Sequence, residues 1–108
     1  MPESAALDYV LGYAVGNDVS HRDWQLKLGG GQWSLGKGFD GWAPFGPGIV
    51  CSRELLGDPQ ALGIRTRVNG VTVQDSGTGD MVFGVAAAVA FLSRGTTLMP
   101  GDVIFTGT

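Results

Sequence analysis

Cysteine is nearly absent from this sequence. Cys51 is the only one in 108 residues, so no internal disulfide can form, and a reducing compartment fits. No run of lysine and arginine occurs. The formal net charge is -3, which leaves no electrostatic footprint for nucleic acid. No apolar stretch approaches the ~20 residues that cross a bilayer, so no membrane partner is expected. Charged residues make up only 16% and hydrophobic ones 44%, a balance that favours a packed chain over a disordered one. The opening "MPESAALDYV" has no basic n-region and no arginine-rich amphipathic pattern, so it reads as neither signal nor transit peptide.

Glycine, by contrast, is plentiful, with 19 residues. It follows no collagen period and sits beside apolar runs. That points to tight turns and close backbone approaches in a loop-rich, strand-rich single domain. No repeat, low-complexity tract or linker interrupts it.

The local pattern predicts the following elements. "YVLGYAV" (residues 9–15) reads as a buried strand. Ser20 reads as an N-cap, with Asp23 as a variant capping-box partner, opening a helix to about Leu28 that Gly29, Gly30 and Gly31 end. Prolines and glycines crowd residues 32–50, which predicts an irregular loop leading to a strand near Ile49–Ser52. "RELLGDPQAL" is a turn region. Ile64, Thr66 and Val68 alternate with Arg65 and Arg67. Asn69-Gly70 then suits a two-residue type I′ turn, with Val71 and Val73 beyond it, so a hairpin is expected. Val85, Val89 and Leu92 have helical spacing, predicting a helix over about 84–94 that ends at Arg94-Gly95. "MPGDVIFTGT" reads as a turn and then a buried strand, "DVIFT".

Some familiar motifs fail on context. Gly36, Gly38 and Gly41 match Gly-x-Gly-x-x-Gly, but "WAPFGPG" follows and cannot open the helix that a dinucleotide site needs. "HRD" at 21–23 lacks the kinase asparagine five residues on, where Leu28 stands. There is no Gly-x-Ser-x-Gly elbow. One Cys and one His exclude a zinc site of ordinary spacing.

Asn17 to Asp23 is the dense spot, with six polar or ionisable side chains in seven positions at the end of an apolar run. Asp18 lies between a predicted strand and a predicted helix. It either caps the turn or pairs with Arg22, or it serves as a metal ligand. On a helix from Ser20, Arg22 and Gln25 share one face, and Trp24 and Leu28 share another that suits the core. Arg22 is otherwise a structural ion pair with Asp18 or Asp23. His21 reads as exposed at the helix start. Lys37 stands between two glycines among apolar neighbours. It either snorkels to solvent or is a paired, functional lysine whose flanking glycines let the backbone approach a ligand. Asp18 with Lys37 would suit a hard cation and an enolisable, anionic substrate. The remaining acids (Asp40, Glu54, Asp58, Asp75, Asp80, Asp102) fall in predicted turns without an acid pair.

"LGYAVGNDVSHRDWQ", "LGKGFDGWAPFGPGIV", "VNGVTVQDS" and "PGDVIFTGT", in this order, resemble the catalytic domain of the fumarylacetoacetate hydrolase family, in its small single-domain type. The resemblance runs from Leu7 to Thr108. It implies a mostly β, α+β fold, part of a mixed β-sandwich or β-roll. It implies a divalent cation, Mg²⁺ with Mn²⁺ or Ca²⁺ as alternatives, and a homodimer in the complete protein. The substrate would be a small 2-oxo or β-diketo acid. The reaction would be C–C bond hydrolysis, oxaloacetate decarboxylation or oxaloacetate tautomerisation. By motif, Asp18 would bind metal, Lys37 would be catalytic, and Arg22, Gln25 and Thr108 would bind substrate.

The family's Glu-x-Glu metal pair and its "PxGVG" continuation fall outside these residues. Gly38 stands where Ser is common and Gly41 where Thr is common. The 108 residues are thus expected to be an incomplete catalytic domain, inactive alone, with Met1 an internal methionine. The alternative is an inactive remnant or mis-called gene with at most a partner-binding role. The compartment is expected to be cytoplasmic or mitochondrial.

Overall fold

The computed structural model describes residues 1–51 and 53–107. Thr108, one of the expected substrate residues, and Ser52, the expected end of a strand, lie outside the described residues. Two compact units divide the chain: Met1–Gly12 with Val50–Thr106, and Tyr13–Ile49 with Gly107. The architecture is α+β with short helices, as the sequence predicts.

In the first unit, α1 (Glu3–Ala6) packs on α3 (Val85–Leu92), which is the alanine-rich helix expected there. Their contact buries Ala6, Val89 and Ala90, and Val10, Val85, Ala86 and Leu98 close around them. Small alanines let two short helices approach closely. The N-terminus of α3 is capped from a distance: Gln60 Oε1 accepts the Val85 N–H at 2.8 Å, and Gln60 Nε2 donates to the Thr78 carbonyl at 2.9 Å. A four-residue helix, α2 (Arg53–Leu56), precedes the Asp58-Pro59 turn.

The hairpin forms as expected. β3 (Gly63–Val68) pairs antiparallel with β4 (Val71–Gly77), and the register slips between Thr66 and Arg67. Asn69 and Gly70 both take positive φ, 50° and 82°, as a type I′ turn requires. Asp75 lies in β4 rather than in a turn, and its carboxylate accepts from Arg65 Nε at 2.9 Å.

Two expected strands differ. Over residues 9–15, only Tyr13–Gly16 (β1) is strand, and it is mostly exposed. Leu7–Tyr9 instead closes a 3₁₀ turn, which satisfies its backbone locally through the Val10 N–H to the Leu7 carbonyl. Residues 102–106, the expected buried strand, belong to neither sheet and are exposed. A strand is stabilised by a neighbour's ladder, and among the described residues only β3–β4 and the pair that β1 makes with Phe45–Val50 supply one.

In the second unit, β1 pairs with β2 (Phe45–Val50). This strand begins earlier than expected and runs through Pro47. Proline is tolerated because every strand of a two-stranded sheet is an edge.

Candidate functional site

β1 stops at Gly16, and the Asn17 N–H donates to the Pro44 carbonyl at 3.0 Å. The chain then turns through Asp18 and Ser20 into a helical segment from Arg22 to Leu28. Its main part, Trp24–Leu28, is a π-helical turn, closed by the Gly29 N–H donating five residues back to Trp24 at 3.1 Å. Such widened turns cluster at functional sites. The turn also overturns the expected core face. Trp24 and Leu28 are 39% and 64% exposed, whereas Gln25 is buried at 1%.

Gly36 explains the difference. A Cβ there would lie 2.7 Å from both Gln25 Cβ and Gln25 N, so only glycine lets the loop press onto Gln25. Gly36 also accepts the His21 N–H on its carbonyl at 2.8 Å. The glycine before Lys37 therefore lets the loop backbone press onto Gln25 within this unit. This packing places Lys37 opposite the Asp18–Ser20 turn.

Two expected site residues, Lys37 and Asp18, meet through it, together with Ser20. Lys37 Nζ donates to Asp18 Oδ2 and, at 2.8 Å, to Ser20 Oγ. Ser20 Oγ in turn donates to the Asp18 carbonyl at 3.1 Å. The side chains of Lys37 and Asp18 are 28% and 39% exposed, so the pair is partly shielded but open to a ligand. Lys37 is thus paired rather than snorkelling, and Asp18 pairs with Lys37 rather than Arg22.

Arg22 and Gln25 do share a face. Arg22 Nη1 donates to Gln25 Oε1 at 2.6 Å, which fixes one arm of the guanidinium and leaves other N–H donors for an anion.

The expected capping box does not form, because Ser20 is committed to Lys37 and the Asp18 carbonyl. Asp23 instead pairs with Lys27 at 2.8 Å, one helical turn on. His21 Nδ1 takes the cap, accepting the Trp24 N–H at 3.4 Å. His21 is exposed, as expected, and its ring centroid lies 6.2 Å from that of Phe39, whose ring is in turn tilted against Trp42 with centroids 4.7 Å apart. Sequence reasoning missed Ser20 as a site residue. Its position two residues after Asp18 is the available signal, but the local pattern reads it as a helix cap.

A hard cation prefers about six oxygen ligands, commonly from more than one carboxylate. The donors here do not fit a complete cation site. Asp18 is the one carboxylate at the cluster and already carries an ammonium, and no group of three metal-ligating side chains occurs among the described residues. Nor is any helix there long and apolar enough to cross a membrane.

The model of the fumarylacetoacetate (FAA) hydrolase C-terminal domain matches residues 1–108. Mitochondrial oxaloacetate tautomerase of Xenopus laevis is 53% identical over 106 residues, covering 98% of this chain and 33% of that protein. Fumarylacetoacetate hydrolase domain-containing protein 2 homolog of Dictyostelium discoideum is 50% identical, over 98% of this chain and 37% of its own length. The crystal structure of fumarylpyruvate hydrolase from Pseudomonas aeruginosa, in complex with Mn²⁺ and pyruvate, superposes with a TM-score of 0.90 at 39% identity, over 100% of this chain and 46% of that one. 2-Hydroxyhepta-2,4-diene-1,7-dioate isomerase from Mycobacterium marinum gives 0.85 at 43% identity, over 94% of this chain and 38% of that one. The chain spans about a third of the length of the curated relatives it matches. With a family match along its full length and the four ordered motifs in place, this chain belongs to the fumarylacetoacetate hydrolase family.

Proposed function

We propose that these residues form one wall of an active site for a small 2-oxo or β-diketo acid. The reaction is C–C bond hydrolysis, oxaloacetate decarboxylation or oxaloacetate tautomerisation. The observation that carries this reading is the convergence of Lys37, Ser20 and Asp18, with Arg22 braced by Gln25 on the adjoining helical segment.

The chemistry follows from the charges. All three reactions build negative charge on an oxygen derived from the 2-oxo group. Lys37 supplies a positioned ammonium for that charge and a proton donor for the enolate. Arg22 suits the substrate carboxylate, since a guanidinium offers paired N–H donors. Gln25 holds Arg22 and lines the same face, and Thr108 is assigned to the substrate by its motif. Asp18 is the carboxylate this chain offers to a divalent cation, Mg²⁺ or Mn²⁺. The Mn²⁺ and pyruvate named in the Pseudomonas aeruginosa structure support both the cation and the 2-oxo acid class. Such a cation, if bound, would polarise the carbonyl, and Asp18 would be the one carboxylate that this cluster supplies to it. The working protein is a homodimer in the cytoplasm or mitochondrion, the latter supported by the name of the Xenopus laevis relative.

A chimera tests the reading. This chain replaces the matching third of the Xenopus laevis tautomerase, and oxaloacetate enol–keto conversion is followed with Mg²⁺. The expected result is turnover in the chimera, a fall of about 10²–10³ in kcat for Lys37→Ala, and none from residues 1–108 alone. Unchanged kcat in Lys37→Ala removes Lys37 from the mechanism. Full activity of the 108 residues alone overturns the shared-wall reading.

A further inference from the structure

The tip of the β3–β4 hairpin carries chemistry that the site described above does not use. The chain has two asparagines, Asn17 and Asn69, and both are exposed. Asn17 is followed by Asp18, whose side chain is held by Lys37. Asn69 is followed by Gly70, and nothing lies within 4 Å of the point where a Cβ on Gly70 would sit. The Gly70 nitrogen thus has no side chain beside it and no neighbour that screens that side. Both strands are exposed along nearly all of their length, and a two-stranded hairpin by itself is only marginally stable. Its tip therefore frays, which releases Asn69 from the φ of 50° that the closed turn imposes.

We propose that Asn69-Gly70 is a self-modification site, at which the chain converts its own asparagine to aspartate or isoaspartate. The Gly70 nitrogen attacks Asn69 Cγ; the N–Cγ bond forms and the Cγ–Nδ2 bond breaks. The hydrogen of the Gly70 N–H leaves with the ammonia. Water then adds to one of the two carbonyl carbons of the cyclic imide and restores the N–H. Opening at Cγ gives aspartate. Opening at the backbone carbon gives isoaspartate, with the main chain rerouted through Cγ. No oxidant or reductant takes part. The two products differ in what they do to the fold. Asp-Gly suits the same type I′ turn as Asn-Gly. Isoaspartate adds a methylene to the main chain of a two-residue loop, so Val68 and Val71 no longer pair in register.

The test ages the 108-residue chain in neutral buffer and digests it with trypsin, which separates Asn17 (residues 1–22) from Asn69 (residues 68–94). Conversion is read by mass, and isoaspartate by labelling with an isoaspartyl methyltransferase. Asn69 is expected to convert at least about tenfold faster than Asn17, a barrier lower by about 1.4 kcal/mol. Gly70→Ala puts a Cβ beside the attacking nitrogen and is expected to slow conversion by about tenfold, although it loosens the turn. Asn69→Gly keeps the turn and is expected to lose the methyl label from residues 68–94. The isoaspartyl form, separated by chromatography, is expected to exchange its β3 and β4 amides faster than the parent, and Asn69→Asp to match the parent. Equal conversion at Asn69 and Asn17, or a label that persists in Asn69→Gly, overturns the site. Undiminished conversion in Gly70→Ala overturns the role of Gly70. Unchanged amide exchange in the isoaspartyl form overturns the effect on the hairpin.

Discussion

Lys37 and Ser20 hold one another in a defined direction. Lys37 Nζ donates to Ser20 Oγ at 2.8 Å, and Ser20 Oγ spends its own hydrogen on the Asp18 carbonyl at 3.1 Å. With its proton committed, the hydroxyl turns lone pairs toward the ammonium. Ser20 is therefore a positioning residue for Lys37. It cannot act as a nucleophile in this arrangement, because its neighbour is a donor rather than a base.

Removing that hydroxyl frees the ammonium to swing about Asp18. A hydrogen bond to a charged group contributes about 1.5–3 kcal/mol, so Ser20→Ala in the chimera should lower kcat by about tenfold or more with little change in KM. Ser20→Thr keeps the hydroxyl and should restore most of the rate. A KM effect without a kcat effect would assign Ser20 to substrate binding instead.

Gly36 and Gly38 flank Lys37 but differ in what they permit. A Cβ on Gly36 meets Gln25 backbone and Cβ at 2.7 Å, whereas a Cβ on Gly38 meets only the Ser34 carbonyl at 3.4 Å. Gly36→Ala should therefore destabilise the 13–49 unit by about 1–3 kcal/mol in urea unfolding. Gly38→Ala should cost less than about 1 kcal/mol. Equal costs would show that the loop does not rest on Gln25.

Gly70 is a different kind of glycine. Nothing lies within 4 Å of its added Cβ, yet its φ is +82°. Gly70→Ala should cost about 1 kcal/mol through backbone strain alone, read as faster amide exchange across β3 and β4. Asn69→Gly, at a φ of 50°, should leave the hairpin nearly unchanged.

The elements legible in the sequence were those specified by local chemistry. Asn69-Gly70 dictates its turn by the sign of φ, and the spacing of Val85 and Val89 fixes one face of α3. Asp18, Lys37 and the Arg22–Gln25 pairing were legible as residue types at a strand-to-helix junction. The contacts that organise them were not, because they depend on loops meeting across sequence distance. A π-helical turn over Trp24–Leu28 shifts the buried position to Gln25, and no 3.6-residue periodicity announces it. Ser20 looked like a cap because the partner that claims it, Lys37, lies 17 residues away. The apolar run 102–106 has strand composition, but composition cannot supply the neighbouring backbone.

The apolar surface of the chain gives the last prediction. The chain exposes 8279 Å², whereas a compact monomer of 11.2 kDa exposes roughly 5,700 Å². Only Ala6, Val89 and Ala90 are buried apolar residues among those described, and large side chains such as Val82, Phe83 and Phe91 are at least 70% exposed. The excess, roughly 2,600 Å², is more than a standard protein–protein interface buries. Covering it is favourable at about 25 cal/mol per Å² of apolar area, so the isolated 108 residues should bind a hydrophobic dye such as ANS. Their sedimentation mass should rise above 11.2 kDa with concentration. The same chain built into the chimera should bind less dye per molecule, because the rest of that domain covers these faces. A dye-silent species that stays at monomer mass over a wide concentration range would show that the isolated chain covers this surface by itself.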